Sequence, residues 1–93
     1  MARVTIARIR DVVRNRDYSV SVHAADELED DALSILDLEE VILTGEIVER
    51  QRDRITGEVK LVIRGDTLGG QEAECVIKIG PSGRLHVITV YLD

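Results

Sequence analysis

The spacing of apolar residues changes at Glu46, and this change constrains the fold more than any other feature of the chain. Before Glu46 the apolar positions recur every three or four residues; after it they alternate with polar ones. A repeat near 3.6 buries one stripe of a helix, and a repeat of two buries one face of a strand. With 93 residues the chain suffices for one small domain, so both halves must share one core. Residues 1–93 therefore read as a single α+β domain. Two or three N-terminal helices pack on a four-stranded antiparallel sheet. Tyrosine is the only aromatic type present, twice, so Val, Ile and Leu must fill that core.

Within the helical half, Val4, Ile6, Ile9, Val12 and Val13 share one side of a helix over residues 3–15. Arg3, Arg8, Arg10, Arg14 and Arg16 line the other. Residues 17–20 form a connection. Ser21 caps a second helix over 22–31, with Val22, Ala25, Leu28 and Ala32 inward. A third helix spans 38–44, capped by Asp37 with Glu40 at the third position and stopped by Gly45. Strands follow at 46–54, 59–65, 72–79 and 84–92, separated by turn-forming ITGE, DTLGGQ and GPSG. The last strand is almost continuously apolar and belongs in the sheet interior. A two-residue turn at Thr56-Gly57 pairs Ile55 with Glu58, Asp53 with Lys60 and Glu49 with Arg64. That register sets Arg50, Arg52 and Arg54 opposite Val59, Leu61 and Ile63. A slip of one residue gathers all three arginines with Lys60 and Arg64 on one side.

The net charge of −6 argues against a general nucleic-acid binder, which usually carries a basic surplus. Cys75 is the only cysteine, so neither an internal disulfide nor a cysteine-based zinc site can form. The start of the chain lacks a signal-peptide core, and no apolar run reaches membrane-spanning length. A cytoplasmic protein is expected.

Few residues can carry chemistry. His23 lies at a helix start, with Asp26 and Glu27 one turn on. An imidazole titrates near neutrality and suits proton transfer, whereas a packed helix-start histidine is the plainer reading. His86 reads as a strand histidine near the sheet edge. Cys75 falls on a strand face with Ala73 and Ile77, a buried thiol. No metal-ligand spacing, phosphate-cradling glycine loop or nucleophile motif occurs; no metal or cofactor is expected. Arg50, Arg52 and Arg54 form either a solvated face or a phosphate grip.

The segments Y-S-x-S-x-H-A (18–24), T-G-E-I-V-E (44–49), V-I-x-G (62–65) and V-I-T-V-Y (87–91) resemble a domain-of-unknown-function family, number 4258. The resemblance implies a RelE-like toxin topology, kinship with the endoribonucleases of toxin–antitoxin systems, a zinc-finger antitoxin as partner and RNA as substrate. It maps the family's histidine onto His23, its glutamate onto Glu49, and its terminal Thr and Tyr onto Thr89 and Tyr91. A metal-independent cleavage would then use His23 or Glu49 as base, Tyr91 as acid, and Arg50, Arg52, Arg64 and Thr89 to hold substrate. One departure opposes cleavage. Where members carry R-M-x-x-R, this chain reads E-L-E-D-D (27–31), so Glu27 and Asp31 replace cations and repel phosphate. The acidic helix and apolar last strand point instead to a non-catalytic module that engages a protein partner or forms a homodimer.

Overall fold

The computed structural model describes residues 4–93; Arg3, placed above on the first helix, lies outside them. The elements are α1 (Ile6–Arg14), β1 (Tyr18–Val20), α2 (Val22–Asp30), α3 (Ile35–Thr44), β2 (Glu46–Arg52), β3 (Val59–Asp66), β4 (Glu72–Ile79) and β5 (Leu85–Leu92). The mixed α+β class is as expected, and three helices form. The sheet differs from expectation: it has five strands in the order β1-β5-β4-β3-β2. β2 to β5 form an antiparallel meander, while β1 joins the far edge parallel to β5. Residues 17–20, read as a connection, contain this fifth strand. Three residues are too few to display a period, and the partner strand lies more than sixty positions downstream.

The helices cover one face of the sheet, α3 over β3 and β4, α2 against β5, and α1 on α3. Their buried residues, Ile9, Val13, Ala24, Leu28, Leu38, Val41 and Ile42, join Leu61, Ile63, Ala73, Cys75, Ile77, Leu85, Val87 and Val90 of the sheet in one core cluster. No described helix is long and apolar enough to cross a membrane.

Local chemistry sets the boundaries. Ser21 caps α2 as expected, its hydroxyl accepting from the Ala24 N–H at 3.0 Å. α2 turns Ala24 and Leu28 inward and leaves Val22 79% exposed, a correction to the stripe drawn through Val22 and Ala25. α3 starts three residues earlier than its spacing suggests. Ser34 is the cap and Asp37 is the third helical residue, and the two exchange bonds in a capping box. Such a cap contributes about 1 kcal/mol.

Gly45 ends α3 for steric reasons rather than conformational ones. A Cβ there would stand 2.4 Å from the Val41 carbonyl oxygen, and one on Gly65 would stand 2.0 Å from the same atom. The two glycines let the end of α3 press directly onto β3.

The β2–β3 register is displaced by two residues from the two-residue-turn expectation. Gln51 rather than Asp53 stands opposite Lys60, Val62 rather than Arg64 opposite Glu49, and Glu46 opposite Arg64. The cause is Asp53. Its carboxylate accepts from the Ile55 and Thr56 N–H groups, and its own N–H reaches the Glu58 carbonyl at 2.8 Å. The wider loop stops β2 at Arg52. A bulge near Val48 in β2 and a second at Ile88 in β5 complete the irregularities. The second places Val87 and Val90, three apart, both in the core. This explains much of the continuous apolar run in β5.

Candidate functional site

Because side chains alternate along each strand, the sheet face away from the helices carries Thr89 and Tyr91 of β5, Glu74 of β4, and Arg64 of β3. Tyr91 stands opposite Glu74, and Glu74 opposite Arg64. The three form one chain of bonds. The Tyr91 hydroxyl donates to Glu74 Oε1 at 2.7 Å, and Arg64 donates from Nε (3.0 Å) and Nη2 (2.7 Å) to Glu74 Oε2. Asp93 lies 3.3 Å from Arg64 Nε, and Glu72 3.9 Å.

The charges shift as this geometry requires. The Arg64 guanidinium, then the Tyr91 hydroxyl, hold the Glu74 carboxyl below its ordinary range. The same bond to Glu74 raises the Tyr91 phenol. The bond between Glu72 and Asp93 raises Glu72. Arg64 is thereby engaged by three carboxylates.

A second cluster forms where α2 meets the edge of β5 beyond β1. Ser21 anchors the helix start: its N–H donates to the Val87 carbonyl and its hydroxyl to that of Ile88. One turn into the helix, Glu27 Oε1 accepts from the Thr89 hydroxyl at 2.5 Å and from the Val90 N–H at 2.9 Å. His23 Nε2 sits 3.4 Å from the same oxygen, and the His23 side chain is 71% exposed. Glu27 thus completes hydrogen bonding on an otherwise open strand edge and stands beside the imidazole.

Of the residues expected to act together, His23 and Thr89 meet through Glu27. Tyr91, two residues along the same face of β5, meets Arg64 through Glu74. Glu49 joins neither group. It shares the face and lies in register with Thr89 through Val62 and Val76. Three strand spacings nevertheless separate them, about 14 Å. Its carboxylate accepts instead from Gln51 Nε2 at 2.7 Å. Arg50 and Arg52 oppose Leu61 and Val59 and so belong to the helix-covered side, away from Tyr91. Arg50 donates to the Val4 carbonyl at 2.7 Å. Arg54 falls in the loop after β2.

A cavity of about 380 Å³ lined by Gln51, Arg52, Asp53, Glu58, Lys60 and Lys78 lies at this hairpin end. None of His23, Thr89 or Tyr91 lines it, and Lys78 is paired with Glu58 at 3.0 Å.

The remaining chemical side chains are accounted for locally. His86 pairs its Nδ1 with the Ser19 hydroxyl at 2.5 Å. Cys75 is fully buried, and burial pushes its thiol up to about 12. Among the described residues no group of three or more His, Cys, Asp or Glu side chains could hold a metal ion.

Sequence reasoning sets Glu27 one turn from His23 without its reach to Thr89 and Val90, and leaves Glu74 unplaced. The spacing of four between His23 and Glu27 puts both on one helix face, a usable signal. Glu74 had none, because its pairing with Tyr91 depends on the bulge at Ile88.

Residues 20–92 match the model of a family described as Domain of unknown function (DUF4258). No curated protein and no solved structure gives a significant match to the chain.

Proposed function

The chain belongs to the DUF4258 family, and from that premise we propose that it is a toxin-like domain of the RelE endoribonuclease type, with its working centre on the distal half of β5. The observation that carries this reading is the exposed His23 imidazole held against Glu27, itself fixed by two donors from Thr89 and Val90. In such a centre His23 takes the proton of an RNA 2′-hydroxyl. The freed oxygen attacks the adjacent phosphorus, and the 5′-oxygen leaves with a proton. In this reading Tyr91, two residues from Thr89 on β5, serves as the acid, and Arg64, two strands away on β3, as the phosphorane-stabilising cation.

The charge distribution makes this a slow centre. The Tyr91 proton is committed to Glu74, and the Arg64 charge is divided among Glu74, Asp93 and Glu72. Those same bonds favour a second reading, a module that has kept the fold and lost catalysis, binding a basic protein partner such as a zinc-finger antitoxin through the acidic end of α2.

Cleavage of a single-stranded RNA oligonucleotide in chelator by the wild type, His23→Ala and Tyr91→Phe decides between them. The nuclease reading expects slow cleavage by the wild type that falls about 100-fold or more in His23→Ala. Equal rates in all three proteins, or no cleavage by any, overturn it. Salt-sensitive capture of a basic partner then tests the second reading.

A further inference from the structure

The sheet has two edges, and they are finished differently. Edge strand β2 carries Glu46, Glu49, Arg50 and Arg52 and is broken by a bulge near Val48. Charges and bulges are the usual devices that stop an edge from pairing with another chain. Edge strand β1 reads Tyr-Ser-Val and has neither; its length of three residues is the only such device it carries.

The direction of its main-chain groups follows from its register. β1 runs parallel to β5 with Val20 opposite Val87, and the Ser21 N–H donates to the Val87 carbonyl. In a parallel ladder alternate residues bond to the same neighbour. Ser19 and Ser21 therefore point their amides and carbonyls at β5, and Tyr18 and Val20 point theirs outward. Among the described residues these outward groups have no hydrogen-bond partner. Beside them runs a groove of about 260 Å³ lined by Arg16, Tyr18, Val20, Ile35 and Glu39, and Ile35 at its rim is 45% exposed. An unpaired edge with a half-apolar groove on its helix side has the shape of a missing sixth strand.

We propose that a second copy of this chain supplies that strand, β1 pairing antiparallel with its own counterpart across a two-fold axis at Ser19. That register places Tyr18 of one copy opposite Val20 of the other, twice. Both residues have outward N–H and C=O groups, so each pairing is a hydrogen-bonded one and all the outward groups are satisfied. Tyr18 and Val20 face the helix side, where Tyr18 donates to Glu39 at 2.6 Å. The incoming Val20 and Tyr18 enter the groove beside Ile35 from the same side.

Charge permits the contact. The chain carries −6 overall, but the groove holds one cation, Arg16, and one anion, Glu39. The seam itself is therefore neutral. Three residues from each copy make a seam well below the roughly 800 Å² per partner of a standard interface, so the dimer is weak and depends on concentration. The proposal uses none of the nuclease chemistry at β5, and a failed cleavage assay leaves it standing.

The test combines mass and amide exchange on the whole chain. Light scattering or sedimentation is expected to give 10.4 kDa at about 5 µM and to move toward twice that at about 500 µM. Over the same range the Tyr18 and Val20 amides should pass from fast exchange to protection, with those of Ser19 and Ser21 protected throughout. Ile35→Lys, at a half-exposed helix position that leaves the core untouched, should raise the dissociation constant about tenfold. A monomer at every concentration overturns the proposal. So does a dimer whose Tyr18 and Val20 amides stay unprotected, or one indifferent to Ile35→Lys.

Discussion

Glu27 accepts the main-chain N–H of Val90 at 2.9 Å, so a side chain of α2 completes the hydrogen bonding of β5 where β1 has run out. The same oxygen takes the Thr89 hydroxyl and faces His23. One residue therefore both closes the strand edge and presents its carboxylate to the imidazole.

Replacing Glu27 separates its two roles. Glu27→Ala leaves the Val90 N–H and the Thr89 hydroxyl without a partner, and the expected loss is about 1–3 kcal/mol. Glu27→Gln keeps a carbonyl acceptor and should lose about 1 kcal/mol or less. Urea denaturation of the three proteins checks both. Equal stability of Glu27→Ala and wild type would refute the edge-closing role.

Gly65→Ala tests the contact between α3 and β3. The new Cβ would fall 2.0 Å from the Val41 carbonyl oxygen, a backbone atom that no rotamer change can move. Overpacking of this kind should cost at least about 3 kcal/mol and lower Tm by about 12 °C or more in a chain of this size. Calorimetry reads it directly.

Ala32 offers the opposite case. It leaves α2 with φ 56, in the left-handed region where a side chain costs about 1 kcal/mol or more, and it is exposed. Ala32→Gly should therefore be neutral or stabilising by up to about 1 kcal/mol, although most substitutions to glycine destabilise. A clear drop in thermal stability would contradict the strain assigned to this position.

The two phenols predict an alkaline limb of the stability curve. Tyr18 is raised by burial and then by its bond to Glu39, and Tyr91 chiefly by its bond to Glu74. Groups whose folded values exceed the unfolded one stabilise the fold fully below about pH 10, and that contribution disappears as pH rises through the folded values. Absorbance titration of phenolate should place both transitions above the free tyrosine value. Glu74→Gln should bring Tyr91 back toward that value while leaving Tyr18 unmoved, and an unchanged pair of transitions would exclude Glu74 as the cause.

Strong local signals made much of this fold legible. Alternation over residues 72–79 delimits β4 to the residue, and Ser21 marks the start of α2 because a serine before a helical stripe has few other uses. Where two local signals compete, sequence alone cannot choose. Ser34-x-x-Asp37 and Asp37-x-x-Glu40 are both capping patterns, and the chain uses the first.

Longer-range features left less trace. The register of β2 on β3 turned on how the Asp53 side chain closes a loop. β1 depends on a strand at the other end of the chain. The site divides in the same way. His23 and Glu27 are one helical turn apart and could be paired from spacing alone. Tyr91, Glu74 and Arg64 come from three strands whose mutual alignment includes a bulge at Ile88.

The parallel pairing of β1 with β5 also orders events during synthesis. Tyr18, Ser19 and Val20 leave the ribosome more than sixty residues before Leu85, His86 and Val87, with which they pair. Until then α2, whose Ser21 and Glu27 both bond to β5, has no seat, and the meander must wait for its final strand. Closure of such distant pairs is slow, so the aliphatic interior stays uncovered until β5 has emerged and depends meanwhile on whatever shields it in the cell.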